Sequence, residues 1–357
     1  MEPQLITKVG ASLEELRQQF PAAEIIDRYQ EQLEELFLIR HPQYRFNKNY
    51  QSDWATFLAA HQGGRPLSAL GSWFYFPWSR QLVHYLPHEL HQELRTARNR
   101  NLITVAEQER FYNFTVGIAG LSVGSHPAAT LAMMGGARAM KLADADTLSA
   151  SNLNRVRYDY TQLGVAKCEL AARYIYQLNP YASLRLYQAG ITVDNITEFL
   201  AGDPRLDVLI EEMDNLEMKI RIRLAARELG IPVIMATDNG DGIIVDIERY
   251  DLDRHLPLFN GAAGDLTLEE FQNFPPERLP ELAAKIVGPE LIVPRMRASL
   301  GEVGKTLYSW PQLGDAATLC GVAAAYLVKR LAIGEEVKSG KYEINLGSLF
   351  SSDKDYQ

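Results

Sequence analysis

The chain has 357 residues, 46% apolar and 23% charged, an ordinary globular composition that can bury a core as two or three domains or one enlarged α/β unit. Its net charge of −9 argues against generic binding to nucleic acid or to anionic membranes, since both need basic surface. No stretch reads as a transmembrane span, Met1-Glu2-Pro3 begins no signal peptide, and two cysteines, Cys168 and Cys320, make neither a disulfide framework nor a zinc site, so the cytoplasm is the expected compartment.

Residues 1–112 read as a mostly helical extension. Between Pro21 and Leu38 the apolar positions Ile25, Ile26, Tyr29, Leu33, Leu36 and Phe37 recur at helical spacing, with Glu31, Glu34 and Glu35 between them. A second helical stretch surrounds Trp54 to Leu58 and ends at Gly63-Gly64-Arg65-Pro66. The aromatic run Trp73-Phe-Tyr-Phe76, with Trp78, is expected to pack onto the α/β core, with a channel wall or an interface as the sharper reading. His84, His88 and His91 have helical spacing, but Pro87 interrupts it, and an exposed helical face is expected rather than a metal site. Arg95, Arg98 and Arg100 crowd the next stretch. Thr104 and Glu107 then form a capping box for a following helix.

Residues 113–357 read as one α/β domain in which strands and helices alternate, implying a mostly parallel, covered sheet. Thr115–Ala119 is a short buried strand, Gly120-Leu-Ser122-Val-Gly124-Ser125 is a glycine turn, and a helix follows to Met134. A second strand, Ala139–Ala143, ends on Asp144. Strand, glycine turn, helix, strand and acid make the first half of a nucleotide-binding βαβ unit: glycines let the backbone approach a phosphate, and a helix N-terminus offers it N–H groups. Further on come helix Lys167–Leu178, a strand near Leu184–Tyr187, helix Asp194–Leu200, strand Asp207–Ile210 and helix Leu216–Leu229, capped by Gly230. Strand Val233–Ala236 turns at Gly240-Asp241-Gly242 into an antiparallel Ile243–Ile247. Residues 251–310 form an insertion with Pro275-Pro276, Pro280, Pro289 and Pro294. Helix Asp315–Leu331, with an Ala/Gly-rich face, and an edge strand at Lys341–Leu346 close the domain.

The segment Asp144-Ala-Asp146, then Ser151-Asn152-Leu153-Asn154-Arg155, then Gly164-Val-Ala-Lys167 resembles the ThiF/MoeB/HesA family, relatives of the ubiquitin-activating enzymes. Asn179-Pro180 and Glu212-Met213-Asp214-Asn215 continue the likeness, which covers roughly Arg100 to Tyr250. The G-L-S-V-G-S loop is similar to that of a bacterial ThiF-domain subgroup. The resemblance implies a Rossmann-like fold and ATP- and Mg²⁺-dependent adenylation of a carboxylate, either a small acid or the C-terminus of a peptide or small ubiquitin-like protein.

By that resemblance Gly120, Ser122 and Gly124 line the nucleotide, Asp144 takes the ribose, and Asp146 belongs to the same site. Asn152 holds the nucleotide loop, Lys167 meets the α- and β-phosphates, Arg155 meets the outer ones, and Asp214 holds Mg²⁺. Arg98-Asn99-Arg100-Asn101 is similar to the family segment whose arginine reaches the partner subunit's phosphates. That similarity implies a homodimer and favours Arg100 over Arg98. The plainer readings make Asn152 a turn cap, Lys167 a solvated helix residue, Asp214 a helix N-cap and Arg100 solvated surface charge. The insertion has no cysteine and the C-x-x-C pairs are absent, so neither an enzyme thioester nor zinc is expected. Two other readings stand beside adenylation: an NAD(P)-dependent oxidoreductase, which leaves Arg155, Lys167 and Asp214 without a role, and a non-catalytic nucleotide-binding scaffold.

Overall fold

In the computed structural model, which describes residues 2–6, 13–264, 267–275 and 278–350, the chain folds into two units, Met1–Val105 with Tyr176–Tyr181 and Ala106–Ile175 with Ala182–Gln357. The first contains β1 (Gln4–Ile6), α1 (Leu13–Gln19), β2 (Glu24–Asp27), α2 (Tyr29–Arg40), α3 (Gln51–Gln62), β3 (Ser72–Phe76), β4 (Gln81–Tyr85) and α4 (His88–Arg95). Its strands form a sheet in the order β1-β3-β4-β2, with only the β2–β4 pair parallel.

Helices account for most of the regular structure of this region, and the four-stranded sheet beside them has no counterpart in the sequence reading. Ile25 and Ile26, placed on a helix from their spacing, lie on β2 opposite Leu82 and Val83 of β4. The aromatic run is β3. Branched and aromatic side chains suit a pleated, half-buried surface, and pairing with a distant strand overrides local helical spacing. The histidine expectation is corrected too. His84 sits fully buried on β4, stacked on Trp73 at 4.2 Å, with Nδ1 2.9 Å from Asp27 Oδ1 and Nε2 2.6 Å from the Leu70 carbonyl oxygen. His91 is buried on α4, and that burial lowers its pKa to about 4.

The chain continues through α5 (Val105–Asn113), β5 (Val116–Ala119), α6 (Ser125–Met133), β6 (Ala139–Ala143), α7 (Lys167–Leu178), β7 (Ser183–Tyr187), α8 (Ile196–Ala201), β8 (Val208–Glu211), α9 (Leu216–Leu229), β9 (Val233–Asn239) and β10 (Gly242–Glu248). The insertion supplies α10 (Leu268–Gln272), α11 (Leu279–Val287) and α12 (Pro294–Leu300), while Pro276 lies outside the described residues. Then come α13 (Gly314–Ile333), β11 (Gly340–Asn345) and α14 (Leu346–Phe350).

The strands of the second unit form one sheet, β11-β10-β9-β8-β5-β6-β7. From β9 to β7 the pairs are parallel, while β10 is antiparallel to both β9 and β11. The chain runs outward from β5 to β7, then crosses to β8 on β5's other side. The carboxyl end of β5 is thus the switch point, where an open α/β sheet forms its crevice.

Helix α13 packs its Ala/Gly-rich face on the sheet as the sequence implied, although the expectation that no stretch has the length of a transmembrane span does not hold for it. By length and composition its twenty residues could cross a membrane. Ala316, Ala317, Cys320, Ala324 and Val328 are nevertheless buried, and the helix packs on α6, β9 and β10 as a core element. Small side chains allow that close approach, and the apolar run is spent on the core.

Beneath α9 lies a fully buried ion network. Arg223 Nε donates to Glu248 Oε2 at 2.7 Å, its Nη1 pairs with Glu211, and Phe259 lies under the guanidinium at 4.2 Å. Lys219 Nζ reaches Glu211 at 3.1 Å. The network ties α9 to β8 and β10, and Glu211 Oε1 accepts the Met213 N–H at 2.7 Å, shaping the turn that presents Asp214.

Candidate functional site

The glycine turn leaves β5 with Gly120 at φ +90°, a left-handed conformation that glycine adopts without strain. A Cβ there would run into the Glu212 carbonyl and lie 2.9 Å from Met213 N. At Gly124 a Cβ would strike the Gly120 carbonyl. The turn therefore hugs the end of β8, and α6 starts from it with no side chain capping its N-terminus. Within the turn Ser122 Oγ is buried with no hydrogen-bond partner among the described residues. Such a group favours a ligand that brings an acceptor.

Asp144, at the end of β6, binds the other side of the turn. Its Oδ2 accepts the Leu121 N–H at 2.6 Å and its Oδ1 the Asp146 N–H at 2.8 Å. Two backbone N–H groups leave the carboxylate further acceptor positions for a hydroxyl. Burial pushes the Asp144 carboxyl up, and the Lys167 charge at 3.8 Å opposes that rise. Lys167 opens α7 with its side chain only 8% exposed, and its Nζ donates to Asp146 Oδ2 at 2.8 Å. It is thus a buried cation beside the turn rather than a solvated helix residue. Next to it Cys168 Sγ faces the carbonyls of Leu142 and Asp144, and burial pushes the thiol up to about 12.

Asn152 does cap a turn: its Oδ1 accepts the Ser149 N–H at 3.0 Å within a reciprocal capping box. That turn delivers Arg155, whose Nη1 donates to the Ser151 carbonyl and to Asn154 Oδ1. Arg155 Nε is buried without a partner among the described residues. Burial pulls the guanidinium pKa down, and the charges of Asp238 and Asp214 oppose this. Asp214 is exposed just past β8. Asn215, not Asp214, caps α9 by accepting the Met218 N–H.

Arg155, Asp214 and Val123 of the glycine turn border one cavity of about 460 Å³. The fold thus brings the sequence-selected residues together in two groups joined by the turn: Asp144, Asp146 and Lys167 on one side, Arg155 and Asp214 on the other. Arg100 belongs to the first unit, where its Nη2 donates to Glu93 Oε1 at 2.9 Å while Arg40 holds Glu93 Oε2 at 2.6 Å. Arg98 is exposed.

Sequence reasoning missed Glu212 and Asp238, which line the same cavity. Burial pushes both carboxyls up; Glu212 accepts the Ala236 N–H, and Asp238 accepts from Gln312 Nε2 at 2.8 Å. Their signal was their place at the carboxyl ends of β8 and β9, where ligands bind α/β sheets. The walls supplied by α11 and α12 had no sequence signal, because they depend on how the insertion folds back.

The donor set fits a nucleotide. A turn whose two glycines leave the backbone bare, a hydroxyl and a guanidinium nitrogen without partners among the described residues, a buried ammonium and a ribose-competent carboxylate are what a polyphosphate ester needs. Asp214 fits Mg²⁺, an ion that takes one or two carboxylates and completes its shell with phosphate oxygens and water.

Residues 96–247 match the model of the ThiF family. Uncharacterized protein MT1398 of Mycobacterium tuberculosis (strain CDC 1551 / Oshkosh) is 37% identical over 276 residues, which are 77% of this chain and 38% of that protein. Ubiquitin-like modifier-activating enzyme 5 of Branchiostoma floridae is 32% identical over 136 residues, 35% of this chain and 33% of the enzyme. The chain thus spans 38% of the length of the first relative and 33% of the second. Among solved structures, E. coli tRNA N6-threonylcarbamoyladenosine dehydratase, TcdA, in complex with AMP has a TM-score of 0.48 at 18% identity, covering 68% of this chain and 95% of that one. The match to the ThiF family model takes in β5 to β9, every parallel strand of the larger sheet, with the glycine turn at their switch point, so residues 96–247 are the part of the chain that is similar to that family.

Proposed function

We propose that the chain binds ATP at the Gly120–Lys167 unit and adenylates a carboxylate without forming an enzyme thioester. The observation that carries this reading is the glycine turn itself, which touches Asp144 through Leu121 N–H and borders the Arg155–Asp214 cavity through Val123. A nucleotide lying along the turn would have its ribose at Asp144 and its phosphates between two cations. The substrate carboxylate oxygen attacks the α-phosphorus, and a new C–O–P anhydride bond forms. The bond to the bridging oxygen breaks, and pyrophosphate leaves with that electron pair. Negative charge grows on phosphate oxygens, so the work of the protein is positioning and electrostatic stabilisation. Ser122 Oγ donates to a phosphate oxygen, Lys167 turns from Asp146 to the α- and β-phosphates, and Arg155 holds the outer ones. Mg²⁺, held through Asp214, neutralises phosphate charge when bound.

The test is ATP–pyrophosphate exchange dependent on an added carboxylate, beside thermal stabilisation by MgATP and by NAD. Stabilisation by MgATP, worth about 2.7 kcal/mol at a hundredfold excess over Kd, is expected with exchange. Stabilisation by NAD alone sinks the reading, and MgATP binding without exchange leaves a scaffold.

The acyl-adenylate is then attacked by a nucleophile from elsewhere, an amine or thiol, releasing AMP. Cys168 and Cys320 are 0% and 1% exposed, and burial raises both thiols, so neither supplies a reachable thiolate. Both should resist iodoacetamide in the native protein and react only after denaturant is added. A Cys168→Ala, Cys320→Ala double variant should keep product formation; adenylation without product would show that a thioester is required.

The working form is proposed to be a homodimer with composite sites, Arg100 exchanging Glu93 for the neighbouring subunit's nucleotide. Mixing Arg100→Ala with Asp214→Ala subunits should then restore part of the activity lost in each, because one hybrid site keeps both residues. A strictly monomeric protein, or a mixture as inactive as its components, counts against it. The carboxylate is proposed to belong to a small acid or to a peptide or protein C-terminus.

A further inference from the structure

The cavity beside Arg155 and Asp214 is larger than a carboxylate alone requires, and most of its remaining lining is apolar. Leu279 and Ile286 of α11, Met296 and Leu300 of α12, and Trp310 ahead of α13 all face it. At about 460 Å³ it is the size of a small-molecule site, and such sites are apolar with a few placed polar groups. These walls are tied to the sheet. Asn239, at the end of β9, donates through Nδ2 to the Leu291 carbonyl at 2.8 Å and accepts the Val293 N–H at 3.0 Å, which clamps the link between α11 and α12. Gln312 closes the other side: its carbonyl accepts from Asn154 Nδ2 at 2.7 Å, and its Nε2 donates to Asp238. The insertion is therefore built into the site.

Charge fixes the direction in which an occupant lies. Two cations line the cavity: Arg155 beside the glycine turn, and Lys219, whose ammonium is held by Glu211 at 3.1 Å; Asp214, Glu212 and Asp238 line it as carboxyls. An occupant with one carboxylate places that group at Arg155, next to the phosphates, and its uncharged remainder along the insertion helices. A second carboxylate would meet Glu212 and Asp238, and would have to compete with Glu211 for Lys219. A glycine-ending tail would leave the apolar wall without a partner.

We propose that the carboxylate activated here carries a bulky apolar group, aliphatic or aromatic, close to its carboxyl carbon, and that α11 and α12 select it. This rests on the adenylation reading above. It specifies a hydrophobic acid, free or as a C-terminal residue such as Leu or Phe, rather than a glycine-ending tail or a diacid. Each methylene seated in an apolar pocket changes kcat/KM by about 10- to 200-fold, so the side chain should dominate selection.

The experiment is pyrophosphate exchange by the full chain with a panel of acids. Phenylacetate, hydrocinnamate and isovalerate form one arm, and short peptides ending in Leu or Phe a second, so that a free acid is told from a chain terminus. Peptides ending in Gly-Gly, and succinate, form the contrast. Hydrophobic acids of one arm should exceed the contrast set by at least about tenfold in kcat/KM. Ala284→Trp, which fills the cavity from α11, should lower exchange with those acids by at least about tenfold while leaving MgATP affinity by calorimetry unchanged. Met296→Ala, which enlarges the cavity and does not strain the fold, should shift preference towards larger acids. Equal or better use of glycine-ending peptides overturns the proposal, as does MgATP binding with no exchange by any hydrophobic acid, or an Ala284→Trp variant that binds MgATP and keeps full exchange. Failure of the wild type to bind MgATP is a different result: it sinks the nucleotide reading and this inference with it.

Discussion

Lys167→Ala is expected to weaken ATP binding by about one to two orders of magnitude, because a charge-assisted contact to phosphate is worth about 1.5–3 kcal/mol. The side chain is almost wholly buried and lies between Asp146 at 2.8 Å and Asp144 at 3.8 Å, so its charge is held beside the glycine turn whether or not a nucleotide is bound. Lys167→Arg should not restore affinity fully, since a forked guanidinium does not fit a slot shaped for a compact ammonium. The variant has a second signature. Burial already raises the Asp144 carboxyl and the Lys167 charge opposes that, so loss of the lysine raises it further. A carboxyl raised in the folded state costs stability once pH exceeds its unfolded value, and the cost is relieved as acid protonates it in both states. The stability deficit of Lys167→Ala should therefore be larger at neutral pH than in acid. Calorimetric titration with ATP, beside unfolding curves at both pH values, checks the two effects separately. ATP affinity equal to wild type would remove Lys167 from the site.

Arg223→Ala should cost about 3–5 kcal/mol of stability, because it leaves buried carboxylates without their cation. Glu248 would lose its cation at 2.7 Å and keep only the neutral donors Tyr250 hydroxyl and Phe259 N–H, and Glu211 would keep Lys219 as its cation beside the Met213 N–H. A further Glu248→Gln change should recover part of the loss, since a neutral amide is cheaper to bury than an unpaired carboxylate. The midpoint of denaturant unfolding, at unchanged slope, reads the effect. A loss below about 1 kcal/mol would mean that the network contributes little beyond packing. The same variant should weaken ATP binding in the fraction that remains folded, because Glu211 shapes the Met213–Asp214 turn. That pairing of stability with site geometry separates Arg223 from an ordinary core residue.

The sequence by itself determined what depends on neighbours along the chain. The run from Thr115 to Tyr250 showed its alternation of strands and helices, because a buried strand and an amphipathic helix impose different periods on local side chains. The glycines of the turn, Asp144 at a strand end and Lys167 at a helix start were legible for the same reason: each has its role from the few residues beside it. Asn152 as a turn cap and β11 as an edge strand were legible on those terms too.

Only the tertiary structure decided what depends on residues far apart in the chain. Ile25 and Ile26 have helical spacing relative to Tyr29 and Leu33, yet partners on β4 make them a strand. His84 lies in a buried aromatic stack because Tyr29 and Trp73 close on it from other elements. The Ala/Gly-rich face of α13 marked it as a packing helix, but that α6, β9 and β10 are what cover it was decided by the fold. The cavity shared by Arg155, Asp214, Asp238 and the insertion helices exists only once the insertion folds back onto the strand ends. Local spacing sets which face a side chain takes on its own element, but burial is set by what that face meets, and for these residues the partner lies far along the chain.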